Sequence, residues 1–353
     1  MSQHALLRSL VSNCLKANAL PLLAATICTL AIVAAGQIAG FPVHLKIYSD
    51  RLLMIAIPVL FCIVAGASFW VLFRDRPKRP TAYLWQKLTG DWLLRERLMR
   101  GTPIFIVFPV FFGAFTSYKY AIGKIVPYYF DPYARAIDRF VHGQDAWMLL
   151  APVLGYRSTI FLDFVYILWF VVMCAMLGFV SFVLADQRLR TQYLVAFVLC
   201  WMFIGVVAAT LLSSVGPCFY MHFYGDDAFA YITEYLQSVN VSHPITALTA
   251  QNMLLSSLPN AVPGLGVGIS AAPSMHVSIA ALNAILLSRF GKLAGVVGWV
   301  YCGIILVGSV HLGWHYALDG YLAIAMTFGI WKLAAILAEV PWFQRLHTSS
   351  AVP

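Results

Sequence analysis

Apolar residues run along this chain in long blocks rather than in alternation or as a one-sided helical stripe. Eight blocks stand out, at 20–39, 52–73, 103–115, 159–185, 193–213, 276–287, 293–308 and 316–337. A helix that crosses a bilayer needs about 20 apolar residues, so the third and sixth blocks are short for full spans. Inside a bilayer the backbone must satisfy its own hydrogen bonds, which makes such blocks helices. The pattern predicts an all-α, polytopic membrane helix bundle: six core helices preceded by two N-terminal transmembrane helices.

Composition strengthens that picture. Of 353 residues, 61% are hydrophobic and only 10% are charged, against about 25% charged in a soluble domain. A water-soluble globule, a disordered chain and a nucleic-acid-binding protein are excluded on this basis. The formal charge of +9 belongs to loops that orient the spans. Arg74, Arg76, Lys78, Arg79, Lys87, Arg95, Arg97 and Arg100 fall between the second and third blocks, Arg188 and Arg190 after the fourth, and Arg289 and Lys292 after the sixth. With alternating spans, all three groups share one face. The stretch 214–275 has no Lys or Arg but holds Asp226, Asp227 and Glu234. It is expected outside, with both termini inside. The loop 117–157 fits this less well, since Lys119, Lys124, Arg135, Arg139 and Arg157 alternate there with Asp131, Asp138 and Asp145.

Other features change less. Trp85, Leu88, Trp92, Leu93 and Leu94 in the basic loop suit either an amphipathic helix on an anionic leaflet or a solvated topology loop. The first block starts late for a signal peptide and reads as an anchor. Six of the seven cysteines lie in or beside apolar blocks, which is not a disulfide framework. No internal repeat is visible.

The chemistry gathers at two span ends on the face opposite the basic loops. Ala272-Pro273-Ser274-Met275-His276 precedes the sixth block, and Ser309 through Asp319 joins the seventh to the eighth. His315 and Asp319 are four apart, so on a helix they share a face. A carboxylate on one ring nitrogen fixes the imidazole tautomer and raises the basicity of the other nitrogen. Such a histidine can attack phosphorus, and His276, from another helix, can protonate the departing oxygen. Ser274 suits an N-cap, and a helix N-terminus favours a phosphate anion. His311, His315 and Asp319 also have zinc-ligand spacing, but Gly313-Trp314 interrupts the helix and no further ligand cluster stands out, so no metal and no cofactor is expected.

Pro-Ser-x-His (Pro273, Ser274, His276) followed about 40 residues later, past the sixth and seventh blocks, by His-x-x-x-Asp (His315, Asp319) resembles the type-2 phosphatidic acid phosphatase superfamily. Residues 313–320, Gly-Trp-His-Tyr-Ala-Leu-Asp-Gly, are similar to its inositol phosphorylceramide synthase branch. So are Ser117-Tyr118-Lys119, Asp131-Pro132, Ile137-Asp138-Arg139 and Gly216-Pro217-x-x-Tyr220. The resemblance covers about 102–337. It implies that His315 is a nucleophile forming a phosphohistidine, that Asp319 orients it, and that His276 is the general acid and base, without a metal. Two family features are missing: Lys-x6-Arg-Pro, and the Ser-Arg ahead of the nucleophile, where Gly308-Ser309 stand. The cation that holds the phosphate is therefore open among Lys119, Arg135 and Arg139, with His311 as a possible helper.

These readings divide the chain into an N-terminal two-span unit with a basic cytoplasmic loop (1–101), a six-span catalytic core (102–338) and a cytoplasmic tail (339–353). The expected activity is lipid phosphotransfer or phosphatase chemistry at the extracytoplasmic face, with a phospholipid donor and a lipid alcohol or water as acceptor. A phospho-head group such as inositol phosphate is one candidate for transfer. By family similarity the setting is a bacterial inner membrane with the site facing the periplasm. The segment 214–275 is expected to form short helices over the site, with Gln251 and Asn252 as candidate contacts for a sugar head group. The competing class is a lipid transporter. Transporters place polar residues at the midplane of repeated halves, whereas here they cluster at one face.

Overall fold

A computed structural model describes residues 14–51, 71–89, 95–258 and 266–340, with isolated positions between 57 and 68. The second apolar block lies largely outside the described residues, as does nearly all of 339–353. Among the described residues there is no strand. The main helices are α1 (Ala19–Ala39), α2 (Pro80–Thr89), α3 (Arg95–Ile125), α4 (Asp131–His142), α5 (Ala146–Leu150), α6 (Tyr156–Gly178) and α7 (Gln187–Met202). They continue as α8 (Tyr220–Tyr224), α9 (Ala230–Asn240), α10 (Thr246–Ser257), α11 (Met275–Leu287), α12 (Lys292–His311) and α13 (Ala317–Ala338). The chain is a multi-pass integral membrane protein: among the described residues six helices are long and apolar enough to cross a bilayer. Their outward faces are apolar, as Phe161, Phe164, Ile167 and Phe170 on α6 and Leu293, Val296, Val297 and Val300 on α12 show. Contiguous apolar surface of that kind suits lipid, not water.

The two short blocks resolve differently. The third is part of a helix of 31 residues that carries Pro103 and Pro109 inside it. Its expected end at Phe115 is not an end: the helix runs on to Ile125, with the Ser117 hydroxyl donating to the Gly113 carbonyl at 2.8 Å and accepting from the His44 amide at 2.9 Å. Back-bonding of this kind lets a polar residue sit inside an apolar helix. The stretch 117–157 is accordingly not one outer loop but the end of α3 followed by α4 and α5. The sixth block is a helix of only 13 residues, α11, and Val277 through Leu286 are all buried. It packs against α6, α7, α12 and α13, so it is the hub of the bundle and meets little lipid.

One end of the bundle holds the basic loops. Arg190 is fully buried, and its guanidinium donates to Asn18 Oδ1 at 2.7 Å and to the Arg100 carbonyl at 3.1 Å. Arg100 donates in turn to the Leu184 carbonyl at 2.8 Å. The starts of α1, α3 and α7 and the end of α6 meet there. Along α3, Lys119 lies 19 residues beyond Arg100, or about 28 Å at 1.5 Å per residue, so the chemistry-bearing residues occupy the opposite end.

The N-terminal region is built into that opposite end. α1 packs on α3 and α7. The chain after it lies across α3 at Gly113, where an added Cβ would come within 2.6 Å of the Leu45 carbonyl. Tyr48 then reaches Thr116, hydroxyl to hydroxyl, at 3.0 Å.

Candidate active site

α11 and α13 present the two histidines. Ser274 is the N-cap of α11, its hydroxyl accepting from the Val277 amide at 3.4 Å. This fixes His276 in the first turn, beside Tyr166 and Trp169 of α6, with ring centres 4.5 and 4.2 Å away. The Trp169 indole N–H donates to the His276 carbonyl at 2.9 Å. The imidazole is held on a face and at its backbone.

His315 is not on a helix face with Asp319. α12 ends at His311, α13 begins at Ala317, and Tyr316 is its N-cap. Asp319 is the third residue of the helix, and Oδ2 accepts from the Tyr316 amide at 3.1 Å. The same Oδ2 accepts from His315 Nδ1 at 3.3 Å. The pair therefore meets across a helix N-terminus rather than one turn along a helix. Asp319 is fully buried and His315 is 7% exposed. With Nδ1 occupied, Nε2 is the nitrogen left to react. The rings of His276 and His315 lie 6.4 Å apart between centres, tilted by 57°.

Both rings line a cavity of about 360 Å³ whose walls are mostly apolar, among them Phe115, Ile167, Phe170, Trp201, Met253 and Leu254. Lys119 and Tyr48 also line it. Among the described residues the Lys119 ammonium has no hydrogen-bond or ion-pair partner. The roof is the segment expected from its length to cover the site: Val215, Phe219, the α10 residues Ala247 and Ala250, and 266–271 contribute.

Two predicted site residues lie elsewhere. Arg139 is 53% exposed at its side chain and reaches Asp145 at 3.6 Å, where Arg135 also binds through two bonds of 3.2 Å. That contact with Asp145 holds the Arg135 guanidinium above its ordinary value. His311 is fully buried, bonded through Nε2 to the Thr159 hydroxyl at 2.8 Å and stacked on Trp147. It does not line the cavity. Gln251 donates to the Leu312 carbonyl at 3.0 Å, and Asn252 points with it into a separate hollow. Among the described residues no group of three or more His, Cys, Asp or Glu is placed to hold a metal ion.

The sequence did not reveal what holds His315 in place. Asp138 of α4 accepts from the Ala317 and Leu318 amides, both at 2.9 Å, so α13 is capped by a residue from another helix. Asp131, also on α4, is fully buried and accepts from the Ser214 hydroxyl, the Val215 and Gly216 amides and the Tyr224 and Tyr316 hydroxyls, at 2.8–3.1 Å. Burial and the Asp131 charge push the Tyr224 phenol up. Gly216 has φ +87°, and a Cβ there would fall 2.4 Å from the Trp314 carbonyl, next to His315. Only glycine meets both demands. Asp163 of α6 accepts from the Thr246 and Ala247 amides at 2.8 Å and so caps α10.

Comparison with known proteins adds one finding. The family described as the PAP2 superfamily matches residues 137–333, which hold both histidines and Asp319. No curated protein and no solved structure matches the chain.

Proposed function

The chain belongs to the PAP2 superfamily, and from that premise we propose that it is a lipid phosphotransferase working through His315. Membership and the apolar spans fit a membrane lipid phosphatase or phosphotransferase. The observation that carries the finer reading is the meeting of two imidazoles from different helices, 6.4 Å apart, at the wall of an apolar cavity.

A phospholipid head group enters at the extracytoplasmic face with its chains along Ile167, Phe170 and Met253. Lys119 holds the anionic oxygens. His315 Nε2 attacks phosphorus. A P–N bond forms, and the P–O bond to the leaving alcohol breaks with its electron pair on oxygen. His276, protonated, gives that oxygen its proton. The neutral His276 then takes a proton from the acceptor hydroxyl, the new P–O bond forms, and the P–N bond breaks with its pair returning to Nε2. Asp319 stabilises the imidazolium character that His315 develops while phosphorylated. Positioned acid–base groups contribute about 10²–10⁴-fold each.

The acceptor is a lipid hydroxyl, and the transferred group a phospho-head group such as inositol phosphate. The mostly apolar cavity wall favours a lipid alcohol over water. The basic end at Arg100 and Arg190 faces the cytoplasm by the positive-inside rule, which puts the histidines outside, in the periplasm for a bacterial inner membrane.

The test is a two-part assay on the full chain in nanodiscs. Phospholipids labelled in the phosphate are supplied with and without ceramide or diacylglycerol. The expected result is a labelled lipid product that depends on the added alcohol, with an acid-labile, base-stable phosphoprotein intermediate that His315→Ala lacks. Free labelled phosphate as the sole product overturns the transferase reading, and turnover retained in His315→Ala overturns the nucleophile.

A further inference from the structure

On the far side of α10 from the histidines lies a second concavity. One face of this helix (Ala247, Ala250, Met253, Leu254) borders the catalytic cavity, and the other (Leu248, Thr249, Gln251, Asn252, Leu255) borders a hollow of about 200 Å³. The hollow is completed by Cys218 and by Thr233, Gln237 and Asn240 of α9. Its polar lining is four carboxamides and two hydroxyls, beside Leu248, Leu255 and Cys218, with no charged residue.

Much of that hydrogen-bonding capacity is unoccupied. Gln251 is 94% buried, and its Nε2 is bound to the Leu312 carbonyl. Its Oε1 has no hydrogen-bond partner among the described residues. Asn240 Oδ1 accepts from the Ile245 amide at 2.7 Å, which leaves its NH₂. The side chains of Gln237, Asn252 and Thr233 have no hydrogen-bond partner among the described residues. Carboxamides offer both donors and acceptors and hydroxyls rotate to suit. A ligand that matches such a wall carries several hydroxyls on a compact frame and no net charge. An anion would find no cation here, and an apolar group would strand the buried Gln251 carbonyl at a cost of about 1–3 kcal/mol. The size points the same way, since drug-sized ligands occupy about 300–1,000 Å³ and this hollow suits a single ring.

We propose that the hollow between α9 and α10 is a binding site for a neutral ring polyol, a sugar or cyclitol, either free or as the head group of a glycolipid. The hollow is separate from His276 and His315, so polyol binding survives their loss. Its wall is tied to the segment before His315 through the bond from Gln251 to the Leu312 carbonyl.

The full chain in detergent is titrated with tritiated myo-inositol and tritiated glucose. In a second arm, the chain in nanodiscs is titrated with a monoglucosyl diacylglycerol against diacylglycerol alone. The variant is Gln237→Ala with Asn252→Ala, two exposed rim positions, compared with wild type and His315→Ala. Saturable binding near one per chain in either arm supports the site, provided it weakens at least tenfold in the rim double variant and is unchanged in His315→Ala. The arm that responds identifies a free polyol or a lipid-borne one. No saturable binding in either arm, or equal binding in wild type and the double variant, overturns the proposal. His315→Ala separates this outcome from failure of the phosphotransferase reading, because polyol binding needs no turnover.

Discussion

Asp138 touches neither histidine, yet its loss is expected to slow the reaction about 100-fold. Its carboxylate, 4% exposed, accepts the Ala317 and Leu318 amides at 2.9 Å each. These are orphan donors of the first turn of α13, which no intrahelical carbonyl can reach. A hydrogen bond to a charged group contributes about 1.5–3 kcal/mol, and a buried donor left unsatisfied costs about 1–3 kcal/mol. Desolvation opposes the cap: burial pushes the Asp138 carboxyl above the ordinary carboxylate range, against the two amides that lower it. The lower end of the range therefore applies, about 2–3 kcal/mol for Asp138→Ala and about 1–2 kcal/mol for Asp138→Asn, which keeps one acceptor. The loss falls on the turn that joins Tyr316 to Asp319 and orients His315. A misplacement of about 1 Å can cost about 10²-fold in rate. Hydrogen exchange read by mass spectrometry should show the 316–319 amides exchanging about 30-fold faster in Asp138→Ala, the equivalent of about 2 kcal/mol. Initial rates on a labelled phospholipid should fall about 100-fold in the same preparation. Unchanged exchange in that segment, with a rate within twofold of wild type, would refute the idea that α4 positions the nucleophile.

Two further substitutions probe other parts of the site. Gly216→Ala places a Cβ 2.4 Å from the Trp314 carbonyl at φ +87°; it should destabilise the chain by about 1–3 kcal/mol, visible as a lower thermal midpoint in detergent together with lost turnover. Lys119→Met removes a cation from the cavity and should lower kcat/KM by about 10²–10³-fold with the thermal midpoint unchanged, while Lys119→Arg restores part of it; an unaltered kcat/KM for Lys119→Met would exclude Lys119 as the phosphate ligand.

What the sequence made legible was local. Ser274 with His276, and His315 with Asp319, are short-range pairs whose spacing alone brings them near each other. The blocks of apolar residues made the bundle legible because a span is a composition. Two kinds of feature escaped. Asp138 and Asp131 bond to residues 83–185 positions away, and nothing local marks an aspartate that will cap a distant helix. The second kind is direction. His311 and His315 are four apart and look alike in the sequence, but the chain leaves α12 between them, so one ring meets Thr159 and Trp147 while the other faces the cavity. Tyr48 illustrates the same limit, since only the return of the chain across Gly113 carries it to the cavity wall.

Four buried carboxylates surround this site, and burial does not tell them apart; bonding does. Asp138 and Asp163 each accept two helix-terminal amides, and Asp131 accepts five donors, so their charges are already committed to holding backbone and hydroxyls in place. Asp319 shares one oxygen between the Tyr316 amide and His315, which leaves its charge to act on an imidazole. It follows that the frame and the chemistry are separable. His315→Ala removes one bond of 3.3 Å and leaves Asp319 its amide partner, so the thermal midpoint should stay near that of wild type although turnover is lost. Asp131→Ala orphans five donors, four of them in buried bonds, at about 1–3 kcal/mol for each that finds no water, and should lower the thermal midpoint steeply. Measured side by side in one detergent, the two variants should differ in midpoint by far more than in rate. Equal midpoints would mean that α4 does not carry the frame.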